Sequence, residues 1–391
     1  MIQSESYWSE LSTTMVDKVV DQEFQLLEVL GHGAYGCLFL GQSLLNNSYV
    51  AVKVLSKTGL DLQQLQIQQL EIDIQSSLSH PNLLALHRVI QDMDYIYMVM
   101  ELCDQGDLFD FVIRDQDTNL IREEALVKKL FLQILDAVES MHAQGVYHRD
   151  LKLENVLLKC EDEEDEDDIT CKVADFGLAT RERYSMEFGC GSTSYLAPEH
   201  FDDANEELVP YDAAASDAWS LGVLLLTLIF GRNPWQEASS ADATYNEFKR
   251  SPIILKEQLF PELSIATYRF LEQVLTSNGS DRPSVSEMKD QFLAIDRLLT
   301  TDEDHYDDYY EPVPTAILSS HTTTKRADIT SYDSAFFSGG TGSSWSDMVE
   351  EDEEEQLRQS EKSSHSPALS QYDDEDTDMF VHSDEKESWW L

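Results

Sequence analysis

The sequence predicts an α+β fold in which a small β-rich part is followed by a larger helical part and then by an acidic tail. Between residues 24 and 55, three short apolar runs are separated by turn residues, which is typical of strands. Residues 123–144 have the apolar spacing of a buried helix, and residues 216–230 form a strongly apolar run of helical length. After residue 299 the composition becomes rich in Asp, Glu, Ser and Thr. We therefore expect one folded region with a tail.

The charge of the chain limits its partners. Its formal net charge is −48 at pH 7, which argues against direct binding to nucleic acid or anionic membranes and favours basic proteins. No segment approaches the roughly 20 apolar residues of a membrane span, and the N-terminus lacks the features of a secretion signal. Five cysteines without metal-site spacing fit a reducing compartment. We predict an intracellular protein of the cytoplasm, the nucleus or both.

Changes in composition divide the 391 residues. Residues 1–22 are polar and are expected to form an N-terminal extension, a leader helix or an arm. Residues 23–300 form the folded domain, with a small lobe at about 23–100 and a large lobe at about 104–300. Residues 161–168 are all acidic, and their mutual repulsion predicts a solvated insertion. Residues 301–391 carry a net charge of −19 and are predicted to be disordered.

The predicted strands at 24–30, 37–41 and 49–55 carry features of a phosphate site. Gly31, Gly33 and Gly36 lie between the first two strands, where the lack of a Cβ lets backbone amides approach phosphates. Lys53 lies in the apolar third strand, where a lysine is seldom found unless it is paired. Glu71, in a helix-patterned segment that ends before Pro81, is the expected partner.

A polar loop at residues 148–155 and the motif around Asp175 carry the groups that phosphoryl transfer needs, which are mainly positioning and charge neutralisation. Asp150 can accept the proton of an attacking hydroxyl. Asn155 and Asp175 offer hard oxygen ligands for magnesium. Lys152 can steady the transferring phosphoryl group.

These motifs, in this order, resemble those of eukaryotic protein kinases over residues 24 to about 295. The resemblance implies a two-lobed protein kinase fold, ATP and magnesium as cofactors, and phosphoryl transfer to Ser or Thr of protein substrates. The catalytic residues that it implies are Asp150, Lys152, Asn155, Lys53 and Glu71, with Asn155 and Asp175 on the metal. The residues that it places around ATP are Leu30, Gly31, Gly33, Gly36, Leu38, Ala51, Lys53, Met100, Glu101, Cys103 and Asp107. Those that it assigns to the peptide site or to support of the fold are Ser192, Glu154, Glu199, Asp217 and Arg282.

The same resemblance implies particular contacts in the hinge between the lobes. Met100 is the gatekeeper, and the backbones of Glu101 and Cys103 hydrogen-bond to adenine. Asp107 reaches the ribose or a basic substrate residue, or else caps the following helix. One departure is Gln75, which occupies a position that is usually apolar and lies under Phe176 of the Asp-Phe-Gly motif.

Four residues of the C-terminal half are expected to make supporting contacts in this family. Ser192 contacts the catalytic lysine in kinases that act on serine and threonine. Asp217 holds the backbone of the catalytic loop, and Arg282 pairs with Glu199. Together with Lys152, Ser192 excludes most tyrosine-kinase interpretations.

More narrowly, residues 188–199 and 231–248 are similar to fungal Ser/Thr kinases related to the regulator that represses sexual conjugation and meiosis. This similarity implies a role in nutrient-linked control of growth, mating or meiosis. The competing interpretation is a catalytically weak pseudokinase or scaffold that acts through the acidic tail. No catalytic position is replaced, which disfavours this alternative.

The substrates are expected to be basic around the target Ser or Thr, because the family places Asp107 and Glu154 opposite such residues. Thr227 stands where basophilic kinases often have a further acid, so we expect one strong basic position and a weaker second one. The protein is expected to act as a monomer.

The activation segment, which the resemblance places at residues 175–199, departs from the usual pattern. Arg149 is the residue that in many kinases grips a phosphate on this segment, yet the usual acceptor position holds Phe188, which cannot be phosphorylated. Glu187 could place a fixed carboxylate near Arg149. We therefore predict a segment that is ordered without phosphorylation, with Ser185, Tyr184 or Thr193 as alternative acceptors.

Overall fold

The N-terminal lobe is a six-stranded antiparallel sheet with the strand order β1-β2-β3-β4-β6-β5. The computed structural model describes residues 5–33, 36–114, 123–160, 169–201 and 209–300. The strands of this lobe are β1 Val19–Val20, β2 Phe24–Gly33, β3 Gly36–Ser43, β4 Tyr49–Ser56, β5 Leu86–Gln91 and β6 Tyr95–Met100. The three predicted strands correspond to β2, β3 and β4. The predicted acidic insertion at 161–168 and tail at 301–391 lie outside the described residues.

Helix α2, Leu62–Ser77, lies between β4 and β5 and carries Glu71. Its first turn is closed by a capping box, because the Asp61 side chain accepts from the Gln64 backbone and the Gln64 side chain accepts from Asp61. Alternation along β3 and β4 sends Leu38 and Ala51 to the face of the sheet that α2 covers, in a cluster with Ile72 of that helix. This face is the one that lines the cleft between the lobes.

Helix α1, Glu5–Met15, covers the opposite face of the sheet. Trp8, which is 2% exposed, and Met15 are buried in one cluster with Phe39 of β3 and Val52 of β4. The Cys37 thiol also donates a hydrogen bond to the Trp8 carbonyl, at 3.6 Å. The described part of the predicted N-terminal extension therefore contributes to the hydrophobic core of the small lobe.

Because Trp8 is buried, Trp8→Ala is expected to lower the free energy of unfolding by about 3 kcal/mol, the usual cost of truncating a buried large aromatic side chain. Urea unfolding followed by fluorescence or circular dichroism measures the change. The control is Leu45→Ala, because Leu45 is 76% exposed in the same lobe and its loss should cost less than about 0.5 kcal/mol. Equal costs at the two positions would contradict the role of α1.

The C-terminal lobe is mainly helical and contains two short antiparallel strand pairs, β7 with β8 and β9 with β10. Its strands are β7 Val156–Cys160, β8 Ile169–Val173, β9 Tyr184–Ser185 and β10 Tyr211–Asp212. Its helices are α3 Leu108–Arg114, α4 Glu124–Ala143, α5 Ala213–Phe230, α6 Ala243–Arg250, α7 Ile265–Val274 and α8 Val285–Leu293, with a short π-helical segment at Leu255–Leu259. The order of a sheet lobe followed by a helical lobe confirms the predicted fold class.

Helix α5 is the centre of this lobe. It ends at Phe230 and is capped by Gly231, whose φ of 69° is in the left-handed region that favours glycine. Contrary to the expectation from the sequence, one helix within the described residues, α5, is long and apolar enough to cross a membrane by length and composition alone, but 89% of it is buried inside the protein. The predicted apolar run is thus the core helix on which the catalytic loop rests.

Candidate active site

The ion pair predicted between β4 and α2 is formed. Lys53 Nζ lies 2.7 Å from Glu71 Oε1, and both side chains are largely buried. Burial by itself would lower the pKa of Lys53, but the carboxylates of Glu71 and Asp175 outweigh this effect and raise the pKa above its usual value. Lys53 is therefore a fixed positive charge at the back of the cleft, close to Asp175.

The Asp-Phe-Gly motif that follows β8 is turned inward. Asp175 has a φ of 61°, and one of its carboxylate oxygens accepts a hydrogen bond from Gly177 N at 3.2 Å. Phe176 is 1% exposed, and its ring lies 5.7 Å from that of His148. The buried Phe176 fixes the backbone that presents the Asp175 carboxylate to Lys53.

Gln75, the departure noted in the sequence, is buried at 4% exposure in α2. Its side-chain amide donates to the Leu84 carbonyl at 3.3 Å and lies 3.7 Å from the Met100 sulfur. The polar group is thus satisfied, and it ties α2 to the end of β6 where an apolar residue would only fill space. Gln75 is therefore compatible with the position of α2 in which Glu71 pairs with Lys53.

The catalytic loop is held from below by Asp217 in the first half of α5. Its two carboxylate oxygens accept hydrogen bonds from the backbone N–H groups of His148 and Arg149, each at 2.8 Å. Burial would raise the pKa of Asp217, but hydrogen bonding and charge interaction with His142, together with the backbone donor, hold the pKa below its usual value. The loop backbone is therefore anchored to a permanent buried carboxylate, as the sequence predicted.

Asp150 is oriented by contacts from both sides. The Asn155 side-chain amide donates to Asp150 Oδ2 at 3.0 Å and to the Asp150 carbonyl at 2.8 Å. Ser192 N donates to Asp150 Oδ1 at 2.9 Å. Lys152 Nζ lies 2.8 Å from Ser192 Oγ and 3.4 Å from Asp150 Oδ2. The activation segment thereby completes the catalytic loop at Asp150 and Lys152.

Asn155 and Asp175 fit a magnesium ion in their chemistry. The amide nitrogen of Asn155 is used toward Asp150, which leaves its amide oxygen for a metal, and Asp175 contributes a carboxylate. No group of three or more His, Cys, Asp or Glu side chains in the described ranges could hold a metal ion. Magnesium commonly takes one or two protein oxygens and completes its shell with substrate phosphates and water.

Apolar side chains from both lobes line the nucleotide side of the cleft. Leu38, Ala51 and Met100, all predicted, share one buried cluster with Leu157 of β7 and Ala174, which the sequence analysis did not single out. Leu30 and Cys103 are partly buried against the same cluster. The cavity behind this region is lined by Leu38, Lys53, Glu71, Gln75, Leu84, Met100 and Asp175. Gly31 and Gly33 end β2 and Gly36 begins β3, beside residues 34 and 35, which lie outside the described ranges.

In the hinge, the contact of the Cys103 backbone with adenine stays a prediction. The Glu101 N–H already donates to the Ala85 carbonyl at 2.9 Å, so only the carbonyl of Glu101 remains for a nucleotide. Asp107 is fully buried and accepts a hydrogen bond from Asp110 N at 2.8 Å, which is the geometry of the helix cap. Its contact with the ribose stays a prediction.

The activation segment is tied to the catalytic loop and to the large lobe. Arg149 Nη1 lies 2.5 Å from Glu187 Oε2, and Arg149 Nε donates to the Leu178 carbonyl at 2.6 Å. Phe188 is packed against a small buried cluster of Tyr147, Tyr211 and Ala213. The structure thus brings Arg149 and Glu187 together, which is the arrangement expected from the sequence.

The C-terminal end of the activation segment is fixed by the predicted ion pair between Glu199 and Arg282. Arg282 forms two hydrogen bonds of 2.7 Å with the carboxylate of Glu199, and the Arg282 side chain is fully buried. Its guanidinium also lies 4.9 Å from the centre of the Trp219 ring. A bidentate pair of this kind fixes both position and orientation.

The fold and this site place the chain in the protein kinase family. The family model "Protein kinase domain" matches residues 24–293. The domain is of the Ser/Thr type, and a kinase domain uses ATP and a divalent metal.

Among curated relatives, the chain is 32% identical over 293 residues to the "Negative regulator of sexual conjugation and meiosis" of Schizosaccharomyces pombe, covering 70% of this chain and 60% of the relative. It is 34% identical over 283 residues to "Serine/threonine-protein kinase ksp1" of the same yeast, covering 70% and 57%. It is 31% identical over 288 residues to "Serine/threonine-protein kinase PLK4" of Nematostella vectensis, covering 72% and 27%. Each match spans less than two thirds of the relative's own length.

Proposed function

We propose that this protein transfers the γ-phosphoryl group of ATP to serine or threonine residues of protein substrates. The observation that carries the proposal is the network in which Asp150 is held by Asn155 on one side and by Ser192 on the other. Phosphoryl transfer also needs Lys53 to be held in place by α2, and the network itself needs an ordered activation segment, because Ser192 belongs to it. The ion pair between Lys53 and Glu71 meets the first condition.

The roles of the residues follow from their positions. Asp150 orients the substrate hydroxyl and accepts its proton as the new P–O bond forms and the bond to the leaving phosphate breaks. Lys152, next to Asp150, neutralises charge on the transferring group, and Lys53 anchors the phosphates that remain. Magnesium, held by Asn155 and Asp175, would offset the charge of the phosphates.

The test compares phosphate transfer to a basic protein by the full chain and by Asp150→Asn. The substitution keeps the shape of the side chain but removes the proton acceptor, so we expect activity to fall at least about 100-fold. The control is Asp290→Asn, which makes the same chemical change at an exposed position of α8 and should leave activity unaltered. If the wild type transfers no more phosphate than Asp150→Asn, the pseudokinase or scaffold alternative replaces this proposal.

The preferred substrates are proposed to carry a basic residue before the target Ser or Thr. Glu154 supports this, because its Oε2 is buried and has no hydrogen-bond partner among the described residues. Burial raises the pKa of Glu154, and the nearby carboxylates of Asp150 and Asp107 add to this effect. A hydrogen bond from its own backbone N–H and the charge of Lys152 oppose it but do not outweigh it. A substrate cation would supply the missing partner. Thr227 is buried, and its hydroxyl donates a hydrogen bond to Asn233 Oδ1 at 2.6 Å. Because threonine is neutral, it provides no second negative charge for a basic substrate residue.

Glu154→Gln is therefore expected to raise KM about tenfold for a peptide with an upstream arginine, since a charged hydrogen bond is lost. For the same peptide with alanine at that position, KM should change less than about twofold. Steady-state kinetics with the two peptides provides the comparison. Because the pKa of Glu154 is raised, the wild-type preference for arginine should weaken as the pH falls and the carboxyl becomes protonated. Equal KM effects on both peptides would exclude Glu154 as the cation site.

In cells, we propose that this kinase takes part in nutrient-linked control of growth, mating or meiosis, acting in the cytoplasm, the nucleus or both. The support is its similarity to a yeast protein named as a negative regulator of sexual conjugation and meiosis. Deletion of the gene should allow conjugation or meiosis under nutrient conditions in which the wild type does not start them. Unchanged timing after deletion would contradict this role.

A further inference from the structure

The hinge, defined here as residues 101–106, is attached to the hairpin of β7 and β8 by charged side chains. Glu101 Oε1 lies 2.9 Å from Lys159 Nζ and 3.0 Å from Lys172 Nζ. Glu101 directly follows β6 of the small lobe, whereas Lys159 lies on β7 and Lys172 on β8. One carboxylate oxygen therefore joins the start of the hinge to both strands of the hairpin.

These three charges are largely withdrawn from water. The side chains of Lys172, Glu101 and Lys159 are 8%, 12% and 28% exposed. Burial would raise the pKa of Glu101, but the hydrogen bonds and charges of Lys159 and Lys172 outweigh it and hold the pKa below its usual value. Partly buried ion pairs are screened by salt much less than exposed ones. The attraction within these two pairs should therefore hold the three side chains in place more firmly than a surface ion pair would.

Backbone hydrogen bonds fasten the other end of the hinge to the same hairpin. Gln105 N donates to the Leu158 carbonyl at 3.1 Å, and Leu158 N donates to the Gly106 carbonyl at 2.9 Å. Cys160 N donates to Asp104 Oδ1 at 3.2 Å. The hinge is thus held at both ends, with Cys103 between them.

The hairpin carries further parts of the nucleotide site. Leu157 of β7 lies in the apolar cluster with Ala51 and Met100. The chain reaches Asp175 two residues after β8 ends at Val173. The position of the hinge relative to the hairpin therefore sets where an adenine ring lies with respect to its apolar floor and to the metal-binding carboxylate.

We propose that Glu101, Lys159 and Lys172 form an ion-pair clamp that positions the hinge for the adenine ring and so determines nucleotide affinity. The three are positioning residues, and none of their side chains needs to touch the nucleotide. The proposal rests on the proposed function only in taking ATP as the ligand.

The experiment uses the full chain with Lys159→Met and Lys172→Met, which keep most of the length of the unbranched side chain and remove its charge. A fluorescent ATP analogue with magnesium measures Kd directly, and kinase assays measure KM and kcat. We expect Kd and KM for the nucleotide to rise about fivefold in each variant, while kcat and KM for the peptide stay within about twofold. Lys159→Arg, at the more exposed position, should restore wild-type affinity.

The matched control is Lys289→Met in α8. Lys289 also bridges charged partners, at 2.6 Å from Asp136 Oδ1 and 2.9 Å from Glu139 Oε2, but it belongs to no part of the nucleotide site. Its loss should not alter nucleotide Kd. The clamp is refuted if Lys159→Met leaves nucleotide Kd unchanged, or if Lys289→Met raises it equally.

A second pair of variants and a direct binding measurement keep the clamp testable if one variant fails to fold. If Lys172→Met does not fold, the pair Lys159→Met and Lys159→Arg still decides the question, because Lys159 is the more exposed lysine. Direct nucleotide binding also separates the two proposals. Failure of phosphate transfer by the wild type would overturn the proposed function, whereas an unaltered Kd in the variants would overturn only the clamp.

Discussion

Gly191→Ala is expected to reduce kcat/KM at least about 100-fold, because displacement of a catalytic loop by about 1 Å can cost this much. Gly191 has a φ of 116°, a conformation that L-residues rarely adopt. A Cβ at this position would lie 2.5 Å from the Arg149 carbonyl oxygen and 3.6 Å from Asp150 Oδ1. Because the first of these atoms belongs to the backbone of the catalytic loop, either that loop or the activation segment must move.

The movement would break the contacts that complete the site. Ser192, the next residue, donates its N–H to Asp150 and its hydroxyl contacts Lys152. Steady-state kinetics with ATP and a basic protein measures the loss, and thermal unfolding shows whether the fold is kept.

The control is Gly189→Ala in the same segment. Gly189 also has a positive φ, 72°, but a Cβ there would meet no atom within 4 Å. Its substitution should cost about 1–2 kcal/mol of backbone strain, and we expect activity within about threefold of the wild type. Equal losses at the two glycines would mean that strain alone, and not the contact with Arg149, explains the effect.

Ion pairs were the most predictable part of the site. A charge in an apolar strand must be paired, so Lys53 had few possible partners. Arg282 lies in a polar loop, and its pairing with Glu199 was predicted from the family resemblance alone. The structure places Lys53 beside Glu71 and Arg282 beside Glu199. The same reasoning did not reach Lys159 and Lys172. Their short strands flank a highly acidic segment, where lysines have many apparent partners in the sequence.

Burial of the N-terminal segment was also missed, for a different reason. Its composition is polar, yet Trp8, Leu11 and Met15 follow the spacing of three and four residues that marks one face of a helix. Counting this periodicity would have predicted that α1 packs on the domain. The sequence indicated that Gln75 is unusual, but it carried no signal for its hydrogen-bond partners. These are a backbone carbonyl and a sulfur atom of other elements.

Protein treated with phosphatase is expected to keep its kinase activity, because Glu187 and Phe188 supply contacts that hold the activation segment. Arg149, the residue that would bind a phosphate, is only 8% exposed and already contacts Glu187 and the Leu178 carbonyl. Phe188 occupies the usual acceptor position and packs against the large lobe. Activity is measured before and after dephosphorylation, with mass spectrometry to verify that phosphate has been removed.

The Glu187 ion pair and the packing of Phe188 are expected to contribute unequally to the stability of the activation segment. The Glu187 side chain is 72% exposed, so its pair with Arg149 contributes about 1 kcal/mol or less. The Phe188 ring lies 5.4 Å from that of Tyr211, and truncation of a well-packed aromatic ring costs about 3 kcal/mol or more at full burial. Phe188 is only partly buried, so we expect Phe188→Ala to lower kcat/KM about 10-fold and Glu187→Ala about threefold.

Ser185→Ala separates this arrangement from a shifted phosphorylation site. Ser185 is 2% exposed in β9, which makes it a poor acceptor as the segment is folded, and its substitution should lower activity less than the double change of Glu187 and Phe188. Tyr184 and Thr193 are exposed and are tested by Tyr184→Phe and Thr193→Val. Loss of most activity on dephosphorylation, with recovery after phosphorylation of one of these three residues, would show that a phosphate orders the segment. Retained activity in all three variants, together with loss in Phe188→Ala, would place the ordering in the aromatic contact, with the carboxylate of Glu187 as a weaker second support.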